Sequence, residues 1–129
     1  MKLDLDCMRD IMIFVEDINY GEYILTSSLK KNLPNPNYSD NDISYTCLKL
    51  YEAGLIDGMV TDYGGGFHYV KYINDITYKG HQFLADIHSD TVWNNIKEIA
   101  STVGSKSVPA IMQIASNVIT ALIHSKLGI

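Results

Sequence analysis

Ser39-Asp-Asn-Asp-Ile-Ser-Tyr-Thr-Cys-Leu-Lys-Leu-Tyr-Glu-Ala-Gly-Leu-Ile56 decides how the chain is read. Ser39 is a good N-cap, and Asp40 and Asp42 fall in the first turn, where carboxylates meet the positive end of the helix dipole. Gly54 suits the left-handed position that closes a helix, so the spacing predicts a helix from Ser39 to Ala53 running into a strand at Leu55. Ile43, Cys47, Leu50 and Tyr51 form its expected inward face. The outward stripe is Asn41, Ser44, Tyr45, Leu48 and Glu52. That stripe carries an aromatic and a leucine but no base, and Lys49 is the helix's only cation.

On the C-terminal side, Leu55–Asp62 and Phe67–Ile73 flank Tyr63-Gly64-Gly65-Gly66, which reads as a β-hairpin with a glycine tip. The glycines lack the strand–Gly-x-x-x-x-Gly-Lys-Ser/Thr–helix setting of a phosphate loop. Thr77 then caps a helix to about His88, with Gly80, Phe83, Leu84 and Ile87 on one face. A further helix starts at Asp90 or Thr91 and stops at Gly104, with Trp93 as a packing anchor. On the N-terminal side, Pro34 and Pro36 make Lys30–Tyr38 a loop. Glu22–Leu29 reads as a short strand. Residues 4–18 read as a first helix, with Leu5, Met8, Ile11, Met12 and Val15 at helical spacing.

No Asp, Glu, Lys or Arg occurs from Ser107 through Ser125, so a membrane span has to be weighed. Gln113, Ser116, Asn117, Thr120 and His124 share one side of a helix, which favours an amphipathic soluble helix over a span. Its apolar side supplies the expected self-association residues Ile111, Ile114, Val118, Ile119 and Leu122, in a seam between two copies or packed on the chain's own core.

With 47% hydrophobic and 19% charged residues in 129, the composition is that of a globular domain. The net charge is −5, and residues 1–62 hold eleven acids against five bases. Such a chain is poorly suited to nonspecific phosphate binding, which depends on lysine and arginine displacing counterions. Cys7 and Cys47 each sit at an apolar helical position and read as reduced core thiols. The acidic start, Met-Lys-Leu-Asp-Leu-Asp, has no signal-peptide hydrophobic region, and a cytoplasmic location is expected.

No catalytic constellation stands out. His81 and His88 lie about 10 Å apart along one predicted helix at 1.5 Å rise per residue, too far to share one metal. His81 is expected to make a structural hydrogen bond. There is no Gly-x-Ser-x-Gly elbow and no His-Glu-x-x-His. We expect no catalytic residues, no metal, no cofactor and no enzyme activity.

The order of elements resembles a winged-helix protein: helix, short strand, Ser-capped helix, Gly-Leu-Ile strand, glycine wing, strand, then Ile76-Thr-Tyr-Lys-Gly-His-Gln-Phe-Leu84. More closely, the start Met-Lys-Leu-Asp-Leu-Asp, the run Ile43–Ile56, Thr77-x-x-Gly80-His81-x-Phe83-Leu84 and Asp90-Thr-Val-Trp-Asn94 resemble a domain-of-unknown-function family of small bacterial and phage proteins. The resemblance implies an α+β fold. Its winged-helix-like core would occupy residues 1–88, and residues 89–129 would form a C-terminal helical extension. It also implies a phage or prophage connection and supplies no activity. Two departures from a DNA reader stand out. A strand and proline loop replace the helix that normally precedes the reading helix, and the outward stripe lacks arginine and lysine. The expected partner is therefore a protein, met by Asn41, Tyr45, Leu48 and Glu52 together with the wing residues Tyr63 and Phe67. One concrete form is a phage-encoded modulator of a host factor. The alternative is a dimeric DNA-binding regulator using helix 39–53 and the wing. It would need Lys30, Lys31, Lys49 and Lys71 gathered on one face and two such helices roughly 34 Å apart.

Overall fold

The computed structural model describes residues 1–129 and shows an α+β fold of five helices and one three-stranded antiparallel sheet. α1 (Leu5–Glu16) forms because Leu5, Met8, Ile11, Met12 and Val15 recur at three- and four-residue spacing, and Asp4 caps it by accepting from the Cys7 N–H at 3.0 Å. The helix is shorter at both ends than the expected 4–18.

β1 is only Ile24–Leu25, not the whole of 22–29. The strand stops because the Thr26 hydroxyl donates to Val70 O at 2.6 Å, and the chain turns through a 3-10 segment, Thr26–Ser28. That turn and the one after it deliver Leu29 and Leu33 to the core, with Asn32 and Leu33 amides donating to Leu29 O. Two consecutive tight turns thus stand where the sequence offers no helix.

α2 (Asp40–Glu52) has a full capping box: Ser39 Oγ accepts from the Asp42 amide, and Asp42 accepts from the Ser39 amide, both at 3.0 Å. Gly54 takes φ +74° just past its end. The buried face is Ile43, Thr46, Cys47 and Leu50. Tyr51, expected inside, is 39% exposed, and Thr46 takes the inner place, its hydroxyl satisfied by Asp42 O at 2.6 Å. Leu48, expected outside, is half-buried against the core.

β2 (Ile56–Gly64) and β3 (Phe67–Ile76) form the hairpin, with Gly64, Gly65 and Gly66 all at positive φ. The strand order is β1-β3-β2, and the β2–β3 register is irregular at three places. A Cβ on Gly58 would run into Tyr72 O across one of them. α3 (Tyr78–Ile87), α4 (Asp90–Val103) and α5 (Val108–Leu127) are capped by Thr77, Ser89 and Ser107. Gly80 lets α3 pack tightly, since a Cβ there would meet Leu55 O and would stand 2.6 Å from Ile76 Cγ2.

One cluster of 26 buried residues runs from Leu5 through Trp93, Ile96 and Ala100 of α4 to Ile111 and Ala115 of α5. α4 and the first half of α5 therefore share the core with residues 1–88. Every residue from Thr120 to Ile129 is exposed. By length and composition α5 is apolar enough to cross a membrane.

Candidate functional site

The residues expected to meet a partner separate into two places. Tyr63 and Phe67 stand at the hairpin tip, 70% and 59% exposed, while Tyr45 and Glu52 face a groove beside the α4–α5 turn. Asn41 is exposed at the start of α2, and Leu48 packs inward.

The hairpin cluster is larger than the two expected residues. Tyr63 stacks on Tyr69 with ring centroids 4.6 Å apart, and Phe67 lies 5.8 Å from Tyr63. Val70 and Ile73 enter the core, so their neighbours Tyr69 and Tyr72 face away from it. Tyr72 is flanked across the sheet by Leu25 on β1 and Met59 on β2, and Tyr23 packs against its ring at 5.1 Å. Tyr23, Leu25 and Met59 are all exposed. The solvent face of the sheet thus carries an apolar, aromatic stripe from β1 to the glycine tip, with the paired Asp57 and Asp75 exposed beyond its lower end. Sequence reasoning missed its lower half because the shift between Met59 and Val60 breaks simple alternation.

The groove is formed because α2 packs on α1 and the sheet, whereas α4 packs on α3 and α5, leaving a gap of about 670 Å³ between them. Lys49 bridges to Glu52 at 2.7 Å and lies 5.3 Å from the Tyr45 ring centroid. The Glu52 hydrogen bond raises the Lys49 pKa above its ordinary value. The one base on the outward stripe's side of α2 is therefore occupied within the helix.

The expected self-association residues also separate. Ile111 is fully buried, so of its two expected places it takes the chain's own core and not a seam between copies. Ile114 and Val118 pack against the core edge. Ile119 is half-buried, and only Leu122, at 43%, is openly exposed, followed by Ile123 and Leu127 at 50% and 66%.

His81 is exposed and its ring makes no hydrogen bond within the fold; only its backbone amide is engaged, donating to Thr77 O as the helix requires. No three His, Cys, Asp or Glu side chains converge as a metal site would need. Cys7 and Cys47 are buried free thiols. Burial pushes the Cys7 thiol up to about 12, and it pushes Cys47 up as well.

A residue the sequence reading left aside, Arg9, ties α1 to the α3–α4 turn. It donates to Ile87 O at 2.9 Å and His88 O at 2.6 Å, pairs with Asp90 at 2.8 Å and lies 5.9 Å from the Trp93 ring centroid. Next to it, Asp6 accepts from Trp93 Nε1 and Lys97 Nζ, each at 2.9 Å.

Residues 2–106 match the family described as Hypothetical protein (DUF2513). The chain belongs to the DUF2513 family. A Haemophilus influenzae protein, named only as an uncharacterized protein, is similar to this DUF2513 chain at 30% identity, covering 95% of this chain and 99% of its own. No solved structure matches the chain. The DUF2513 match takes in α1 to α4, both walls of the Arg9–Asp6 junction and the whole sheet face.

Proposed function

We propose that this chain is a non-enzymatic, winged-helix-like module that acts by binding another protein through the solvent face of its sheet. The strand order β1-β3-β2, with α2 before the hairpin, supports the winged-helix reading. The observation that carries the partner reading is the aromatic surface of Tyr63, Tyr69, Phe67 and Tyr72 with Leu25 and Met59 beside it. Stacked rings are already ordered, so little side-chain entropy is lost on docking, and desolvating them is favourable. Leu48 does not belong to this surface. In a phage- or prophage-encoded form, which the family resemblance suggests, the partner would be a host protein.

The exposed end of α5 supports self-association through Ile119, Leu122, Ile123 and Leu127, which recur at helical spacing. Lys49 paired to Glu52 and the acidic net charge of −5 weigh against the DNA alternative.

A photo-crosslinking residue placed at Met59 tests the reading in living cells. One discrete protein adduct is expected, lost when Tyr63→Ser and Phe67→Ser are added, with no adduct from the same group at Asn94 on α4. Equal labelling from both positions would refute it. So would steeply salt-dependent binding of duplex DNA by the purified chain.

A further inference from the structure

The groove between α2 and the α4–α5 turn is separate from the aromatic sheet face and has a different chemistry. At about 670 Å³ it falls within the size range of small-molecule sites. Its walls are mainly apolar, with Leu3, Tyr45, Val108 and Pro109 among them. Its charged residues are Lys2, Lys49 and Lys106 against Glu52 alone, a local excess of two positive charges in a chain of net −5.

The lysines differ in availability. Lys49 is held by Glu52, whereas Lys2 and Lys106 take part in none of the ion pairs of the fold. The acids of the adjoining hollow keep their charge, which is offset by Lys97 beside Asp6 and by the positive helix ends on which Asp4 and Asp42 sit. Asp4 accepts the Cys7 amide, Asp6 holds Trp93 and Lys97, and Asp42 accepts the Ser39 amide. The start of α5 adds the positive end of a 20-residue helix, although the backbone offers little directly. Pro109 has no N–H, and the Ala110 amide is taken by Ser107 at 3.3 Å. The two unpaired ammonium groups are therefore the charged donors available to an anion.

We propose that this groove binds a small amphiphilic organic anion. Lys2 and Lys106 hold its carboxylate, sulfonate or phosphate, and Tyr45 with Val108 covers its ring or hydrocarbon part. Both lysines are exposed and support no core contact, so replacing them leaves the fold intact.

The test uses the full chain with anilinonaphthalene sulfonate and its uncharged parent, phenylnaphthylamine, followed by fluorescence and by amide chemical shifts. The sulfonate is expected to bind with shifts at Tyr45, Gly104 and Ser107, and to weaken with added salt. The K2A/K106A double variant is expected to bind it about tenfold more weakly, as the loss of two solvent-exposed charge contacts implies. The uncharged parent is expected to respond to neither salt nor the lysine changes. Shifts confined to residues 119–129 would overturn the proposal by placing the dye on the exposed end of α5. Equal affinity in the double variant would overturn it too. Rigid seating against Tyr45 is checked by Tyr45→Ala, which should weaken both compounds.

Discussion

α1 and α5 are both rich in apolar residues, yet the fold uses them in opposite ways. α1 spends 12 residues and buries six of them, while α5 spends 20 and buries three, Val108, Ile111 and Ala115. α1 is enclosed by α2, the sheet and α3, so even a broad stripe finds cover. α5 meets α3 and α4 only along its first turns and then outruns them. Amphipathic spacing states which side of a helix avoids water. It does not state how much of that side the rest of the chain can reach.

The largest expected effect comes from cutting equivalent side chains in the two helices. Ile11 is fully buried in α1, and Ile11→Ala should cost about 2–5 kcal/mol by removing buried methylenes and leaving a cavity. Leu122→Ala, at a position 43% exposed in α5, should change stability by no more than about 0.5 kcal/mol. Urea denaturation of the two variants measures the difference. A large loss from Leu122→Ala in a dilute, monomeric sample would mean that the end of α5 is covered by its own chain.

The second effect concerns association and is read at higher concentration. Light scattering on a sizing column should show a dimer, and Leu122→Lys with Leu127→Lys should return it to a monomer with unchanged helix content. Two charges placed in an apolar seam leave both unpaired, which disfavours the paired state. A native chain that stays monomeric at hundred-micromolar concentration would sink the self-association reading and leave α5 for another partner. A dimer untouched by the lysines would move the seam to the aromatic sheet face.

Much of the fold was legible because its signals are local. Ser39 and Thr77 each cap a helix from within three residues, and Gly54 and Gly104 stand at positive φ where α2 and α4 end. The glycine tip of the hairpin was legible for the same reason. What could not be read depends on contacts distant in sequence. Arg9 meets carbonyls 78 and 79 residues away, and nothing near it announces that role. The groove exists only because α2 and the α4–α5 turn come to rest on different neighbours. Of the candidate site, Tyr63 and Phe67 were found from the glycines beside them. Tyr69 and Tyr72 were missed because an irregular register sets the side of the sheet they occupy. Tyr51 and Leu48 were assigned to the wrong sides of α2 because Thr46, a polar residue with an internal acceptor, takes the buried place.

The smallest expected effect tests the junction that ties α1 to α4, and its sign follows from two carboxylates with opposite shifts. Burial pushes Asp6 up, but the hydrogen bonds from Trp93 and Lys97 and the charges of Lys97 and Arg9 outweigh it, holding the carboxyl below its ordinary 3.8. A depressed folded-state pKa gives stability that is present above the unfolded value and lost as pH falls through the folded one. Asp86 goes the other way. Burial raises it, so the native state takes up a proton more readily than the unfolded chain, and stability rises as pH falls through the window above 3.8. Asp86→Asn should therefore remove a shallow gain on the approach to pH 4, and Asp6→Asn should flatten the loss below it. Asp6 is exposed and Asp86 only half-buried, so each effect is small and is best read as a change in slope of the urea midpoint against pH. If Asp6→Asn left the acid limb unchanged, the link from α1 to Trp93 and Lys97 would contribute no net stability, and the enclosure of α1 would rest on its apolar stripe alone.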